Sequence, residues 1–180
     1  MIRAVLALLI ASAISTFVVE RVLAQSPARA VTAPALPVPA NLTQLMRGTL
    51  YPESNVVFAA QDVNPADVPH AKDPSMATDP LTSQYGKWEA VENNALAIAE
   101  VANLLTLPGR KCANGLDVPA RNADWAKFVQ ELREGGMTAY AAAQTKNQDK
   151  MTDAAGVMTE ACANCHNKYR EKAKLADRCK

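Results

Sequence analysis

An all-α domain, arranged as an antiparallel four-helix bundle, is the fold class that this sequence predicts, and three observations predict it. Alanine is abundant while aromatic residues make up only 5% of the chain, a balance that suits helices better than a sandwich or barrel. Apolar residues recur at three- and four-residue spacing in four separate stretches, and no run alternates with the two-residue period of a strand. Helices with one apolar stripe each bury those stripes by packing around a common core. A length of 180 residues and a hydrophobic content of 49% fit one globular domain.

The first segment stands apart from that domain. Met1 to Arg3 is a short basic start, Ala4 to Val19 is apolar, and Val22-Leu23-Ala24 offers the small residues of a cleavage site. Residues 1–24 therefore read as a signal peptide cut after Ala24. The apolar run is short for a membrane span and ends at Glu20 and Arg21, which favours a cleaved leader over an uncleaved anchor. Either way the folded part is exported. Residues 25–40, with Pro27, Pro34, Pro37 and Pro39, read as an extended Pro/Ala-rich tether. Removing Arg3, Arg21 and Glu20 leaves 17 basic and 17 acidic residues, so no overall basic surface points to nucleic acid.

Residues 41–180 form the predicted domain. Asn41 is placed as an N-cap before Leu42, Leu45, Met46, Thr49 and Leu50 at helical spacing. Pro52 removes a backbone donor and its ring opposes the carbonyl of Gly48, so the first helix should kink or restart there. Residues 63–85 carry Pro65, Pro69, Pro74 and Pro80 without a period, a connection longer than compact domains usually contain. Its His70 is in principle an iron ligand, although a lone loop histidine is more often a solvated side chain. From Lys87 to Leu107, the residues Trp88, Val91, Ala95, Ile98, Val101 and Leu105 define the second helix, stopped by Pro108-Gly109. Asn122 is placed to cap the third, carried by Trp125, Phe128, Val129, Leu132 and Tyr140, with Gly135-Gly136 as a weak point or a close-packing site. The fourth carries Met151, Ala154, Met158, Ala161, Cys162, Cys165 and Tyr169.

Cys162, Ala163, Asn164, Cys165 and His166 hold the chemistry. Two thiols three residues apart and an adjacent imidazole are what covalent haem attachment requires: thioethers to two vinyl groups and an axial ligand beside them. Helical spacing puts all three side chains on one side. The competing reading is a structural zinc site, but no second Cys pair completes four ligands. In the basic C-terminal run, Lys168, Arg170, Lys172, Lys174, Arg178 and Lys180 face only Glu171 and Asp177. That run suits a docking patch for an acidic redox partner, or simply the end of a helix dipole, and the second reading is preferred.

An exported helical chain whose one haem motif lies near the C-terminus, reading Cys162-Ala163-Asn164-Cys165-His166-Asn167-Lys168-Tyr169-Arg170, resembles the class II cytochromes c, which include cytochrome c prime and its low-spin relatives. The resemblance covers roughly residues 41–176, and only the CxxCHxxYR-like segment is sharply diagnostic. It implies one haem c carried by Cys162 and Cys165, His166 as proximal ligand, Arg170 near the haem edge, and a periplasmic location. In that family the sixth iron position is either open beneath an apolar residue or taken by a methionine of helix one. Met46 is the only thioether of the first helix here and is the candidate sixth ligand; core packing is its other reading. Met137, Met151 and Met158 are assigned to the core. The proline-rich tether, Pro52 and the long 63–85 connection depart from the family pattern.

Cys112 and Cys179 remain as an even pair in an oxidising compartment and are predicted to form a disulfide. Closing so long a loop stabilises by roughly 4 kcal/mol on the chain-entropy model. The function that follows is one-electron transfer by a monohaem c-type cytochrome that transforms no substrate, with periplasmic or membrane-bound redox partner proteins. The alternative is a five-coordinate, cytochrome c prime-like protein binding nitric oxide or carbon monoxide. A haem peroxidase needs an acid–base group above the iron, for which His70 is the one noticeable candidate. Pairing of two copies through their outer faces stays open.

Overall fold

The computed structural model describes residues 37–180. The expected signal peptide and most of the expected tether lie outside the described residues. The domain is all-helical. Among the described residues the sole extended pairing is an isolated bridge between Lys111 and Asp117.

The first helical rod has three parts: α1 (Leu42–Leu45), a π-helical segment (Met46–Leu50) and α2 (Tyr51–Asp62). The predicted cap forms, because the Asn41 carboxamide oxygen accepts from Gln44 N–H at 2.9 Å while the Gln44 side chain accepts from Asn41 N–H at 2.9 Å. Pro52 disturbs the rod, as expected of a kink or restart, without ending it. Helical dihedrals continue through Leu50 and Tyr51, and Tyr51 N–H reaches back five residues to the Met46 carbonyl. The wider π turn absorbs the irregularity that a mid-helix proline imposes. Pro52 then occupies the first turn of α2, where its missing donor costs nothing.

The 63–85 connection is more ordered than its lack of period suggests. Asn64, Asp73 and Asp79 each precede a proline and accept from the N–H two residues on, at 3.1, 3.2 and 3.0 Å. Each caps a single 3₁₀ turn: Pro65–Asp67, Pro74–Met76 and Pro80–Thr82. Buried Pro65 and Leu81 fasten this connection, whose first and last turns pack on the helix that follows it, Lys87–Leu104.

Helix α3 (Lys87–Leu104) ends three residues before the predicted Leu107. Arg110 explains the early stop. Its buried guanidinium donates to the Leu104 carbonyl at 3.1 Å and to the Ala40 carbonyl at 2.6 Å, tying the end of α3 to the approach to α1. Leu42 N–H adds a bond to the Lys111 carbonyl at 2.8 Å.

Helix α4 (Ala123–Gln144) begins at Asn122, but the predicted side-chain cap is absent. The Asn122 amide instead donates to the Tyr169 hydroxyl at 3.4 Å. Helix α5 (Gln148–Tyr169) is capped by Asn147, which accepts from Lys150 N–H at 2.9 Å. Packing runs α3 on α4 and α4 on α5, with α2 against both α3 and α5, so the helices enclose one core. Met151 and Met158 are fully buried there, whereas Met137, assigned to the core from its sequence, is 45% exposed.

Gly135-Gly136 is a close-packing site. A Cβ on Gly136 would lie 2.9 Å from the Ala95 carbonyl oxygen and from the Ala99 nitrogen of α3; one on Gly135 would lie 3.2 Å from the Met158 Cα of α5. Alanine normally stabilises a helix interior over glycine by about 1 kcal/mol. Gly156→Ala, at an exposed α5 position with open space around it, should gain up to that amount. Gly136→Ala should instead lose about 1–3 kcal/mol, because backbone must move. Urea denaturation of both variants checks the opposite signs; a stabilised Gly136→Ala would contradict this packing.

Candidate functional site

A cavity of about 810 Å³ lies at the end of the fold where α5 finishes, toward the upper end of the roughly 300–1,000 Å³ usual for small-molecule sites. Cys162, Cys165 and His166 all line it from α5. One helical turn separates Cys162 from Cys165 and His166, so a single α-helix delivers all three to one wall. Another wall belongs to the first rod, through Leu42, Met46 and Leu50. Met46 is partly buried and opens the π segment. Irregular helix geometry therefore begins at the residue singled out as a possible ligand.

The floor is apolar. Ile98 of α3, Phe128 and Leu132 of α4, and Met158 of α5 contribute to it. Met158 is two turns before His166 on the same helix, so its thioether belongs to the His166 wall and not to that of the first rod. Three polar contacts fix α5 against α4: Asn164 donates to Glu131 at 3.1 Å, the Tyr169 hydroxyl donates to Asp124 at 2.6 Å, and Lys168 pairs with Asp124 at 3.8 Å. The Tyr169 ring is buried edge-on against Trp125 (centroids 5.2 Å apart) and Phe128 (6.2 Å). Accepting from Tyr169 holds the Asp124 carboxyl below the usual range, and burial followed by the Asp124 bond pushes the Tyr169 phenol up.

The expected disulfide forms, and it builds a third wall that sequence reading did not place on the cavity. Cys112 and Cys179 are joined by a disulfide whose Cα atoms are 6.6 Å apart. The bond brings Asn114 from the α3–α4 connection, and Leu175 and Arg178 from the tail, onto the cavity. Asn114 donates to the Leu175 and Arg178 carbonyls, both at 3.0 Å, and Cys179 N–H donates to the Tyr169 carbonyl at 2.9 Å. The pairing of the cysteines was the one available signal for this wall.

Burial dominates the electrostatics. It pushes the Cys162 thiol up, and it pushes the Cys165 thiol up to about 11, with the neighbouring Cys162, Asp124 and Glu131 adding to the effect. Burial, then the Arg170 charge, lowers the His166 imidazole, which keeps it neutral as a metal ligand must be. Arg170 donates to His166 Nδ1 at 3.2 Å. Ligation through Nε2 requires the ring proton on Nδ1, so this exposed arginine must turn away when a metal binds. Among the described residues no cluster of His, Cys, Asp or Glu converges on a single ion position.

These features fit a haem. Its thioether and axial donors must spread across a flat group instead of meeting at one point, and an apolar cavity bearing a Cys-x-x-Cys-His wall offers that arrangement. Of the supplementary ligands that a zinc site could draw on, Cys112 and Cys179 are bonded to each other and His70 lies outside the cavity, which leaves only a carboxylate. His70 is exposed and its Nδ1 is 2.9 Å from the Ser83 carbonyl, which also removes it as an acid–base group there.

No family model, no curated protein and no solved structure matches the chain.

Two thiol measurements follow for the protein with Cys162 and Cys165 unmodified. Denatured chains should titrate two thiols without reductant and four with it; four in both cases would exclude the disulfide. At pH 8 Cys165 should alkylate on the order of a hundredfold more slowly folded than unfolded, since its pKa rises from 9.0 to about 11. The unfolded chain releases this proton first, so this group's contribution is intact below about pH 9 and is lost as pH climbs toward 11.

Proposed function

We propose that this chain is an exported, periplasmic monohaem c-type cytochrome of the class II kind, a bundle of four antiparallel helices that carries single electrons. The observation that carries the proposal is the shared cavity: Cys162, Cys165 and His166 line it from α5 and Met46 lines it from the first rod. Cys162 and Cys165 would hold haem c through thioethers, His166 would be the proximal ligand, and Met46 the sixth. When bound, haem supplies a reversible one-electron couple at iron.

The chain's own residues supply the conditions for that chemistry. Ile98, Phe128 and Leu132 exclude water from the floor, and an apolar surround limits the charge rearrangement that accompanies electron movement. A thioether facing an imidazole suits both oxidation states and raises the potential. Asn164 and Tyr169, bonded to α4 through Glu131 and Asp124, hold the motif in register. Arg170, released from His166 Nδ1, becomes a positive charge for a carboxylate at the haem edge. On this reading the chain carries electrons and transforms no substrate.

Intact mass and absorption spectra of the exported protein test this directly. A haem adduct that survives denaturation, with a six-coordinate low-spin spectrum that turns high-spin in Met46→Ala, is the expected result. A high-spin spectrum unchanged by Met46→Ala would assign an open distal position and the gas-binding function. Absence of both haem mass and haem absorbance would sink the proposal.

A further inference from the structure

We propose that the disulfide-held C-terminal tail is a docking face for an acidic protein surface, built around the opening of the cavity; it rests on the electron-carrier reading for its purpose but not for its test. The charge of the described chain is strongly segregated. Residues 168–180 contain six basic and two acidic residues, whereas residues 37–167 contain ten basic and fifteen acidic. A positive segment beside the cavity draws a negative partner toward it before contact.

The helix dipole does not account for this end. Helix α5 stops at Tyr169 with only His166 and Lys168 as basic residues of its last turn, and the dipole's influence fades within that turn. Beyond it the chain is irregular apart from one 3₁₀ turn, Leu175–Asp177. The tail's two acids are already engaged, Glu171 with Arg170 at 2.8 Å and Asp177 with Lys180 at 3.2 Å. Lys172, Lys174 and Arg178 have no ion-pair partner among the described residues.

Position and rigidity complete the argument. Arg178 is both exposed and part of the cavity lining, and so are Arg47, Tyr51 (66% exposed) and Leu175 (51% exposed). Apolar groups inside a charged surround are the composition of a protein–protein interface. The Cys112–Cys179 bond, the two Asn114 bonds and the Cys179–Tyr169 bond hold the tail in place, so docking does not bear the cost of ordering it.

Binding of a poly-glutamate peptide, measured by calorimetry on the full exported protein at low and high salt, tests the face. Salt-sensitive binding should weaken on the order of tenfold in the triple variant K172E/K174E/R178E, and less in K172Q/K174Q/R178Q. It should stay within about twofold in K146E/K150E, whose charges lie near the start of α5, about 30 Å away along the helix. Far-ultraviolet circular dichroism and melting temperature check that each variant is folded. Unchanged binding in the folded triple variant, or an equal loss in K146E/K150E, overturns the proposal. So does binding to phosphatidylserine vesicles at a salt concentration where the peptide fails to bind, which assigns the face to a membrane. The peptide readout needs no haem, so a protein that binds it yet lacks haem absorbance would fail the carrier reading while keeping the docking face.

Discussion

Backbone contact at Gly135-Gly136 sets the spacing on which the cavity depends. Without side chains there, α4 approaches the carbonyl of Ala95 on one side and the Cα of Met158 on the other. Met158 is one turn before Cys162, so the depth at which α5 meets α4 fixes where the Cys-x-x-Cys-His segment begins. Small residues elsewhere keep the same close approach: Ala95, Ala99, Ala102, Ala139, Ala143 and Ala155 are all buried. An alanine-rich core lets helices pack near the short end of the usual 8–10 Å range. The aromatic residues cluster where α5 ends, and the cavity opens beside them.

Closure of the cavity depends on a different kind of bond. Helices α4 and α5 and the first rod provide two walls and the floor through apolar packing, which is non-directional. The third wall is a short, exposed tail with little apolar surface to bury, and covalent and hydrogen bonding hold it instead. Arg110 performs the parallel task at the start of the domain, where its buried guanidinium joins the end of α3 to Ala40, two residues before α1. Both ties converge on the 105–122 connection, which makes that irregular segment the brace of the site.

Much of the fold could be read in advance because helix periodicity and capping are local. Asn41 caps as its neighbours predict, and the stripes of α3, α4 and α5 are buried. Asn122 shows where local reasoning stops: its amide serves Tyr169, 47 positions away, because a phenol already bonded to Asp124 offered an acceptor that a helix-start pattern does not reveal. The three Asx-Pro turns of the 63–85 connection were visible as Asn64-Pro65, Asp73-Pro74 and Asp79-Pro80, and a search for periodicity alone passed over them. Pro52 was legible as a disturbance, but not the form it takes, a π segment beginning at Met46.

By itself the sequence determined the chemistry: two thiols and an imidazole at one-turn spacing on a helical stripe, and two further cysteines left to pair. Those properties live within a few residues of chain or in a count. Only the tertiary structure decided what shares a cavity with them. Met46 is 120 positions from His166 and Arg178 is 66 positions from Cys112, and separations of that size are closed by packing and by the disulfide, which no local pattern encodes. Burial likewise was decided there, and with it the neutral His166 and the protonated Cys165, because desolvation depends on every element that surrounds a group and not on the segment that carries it.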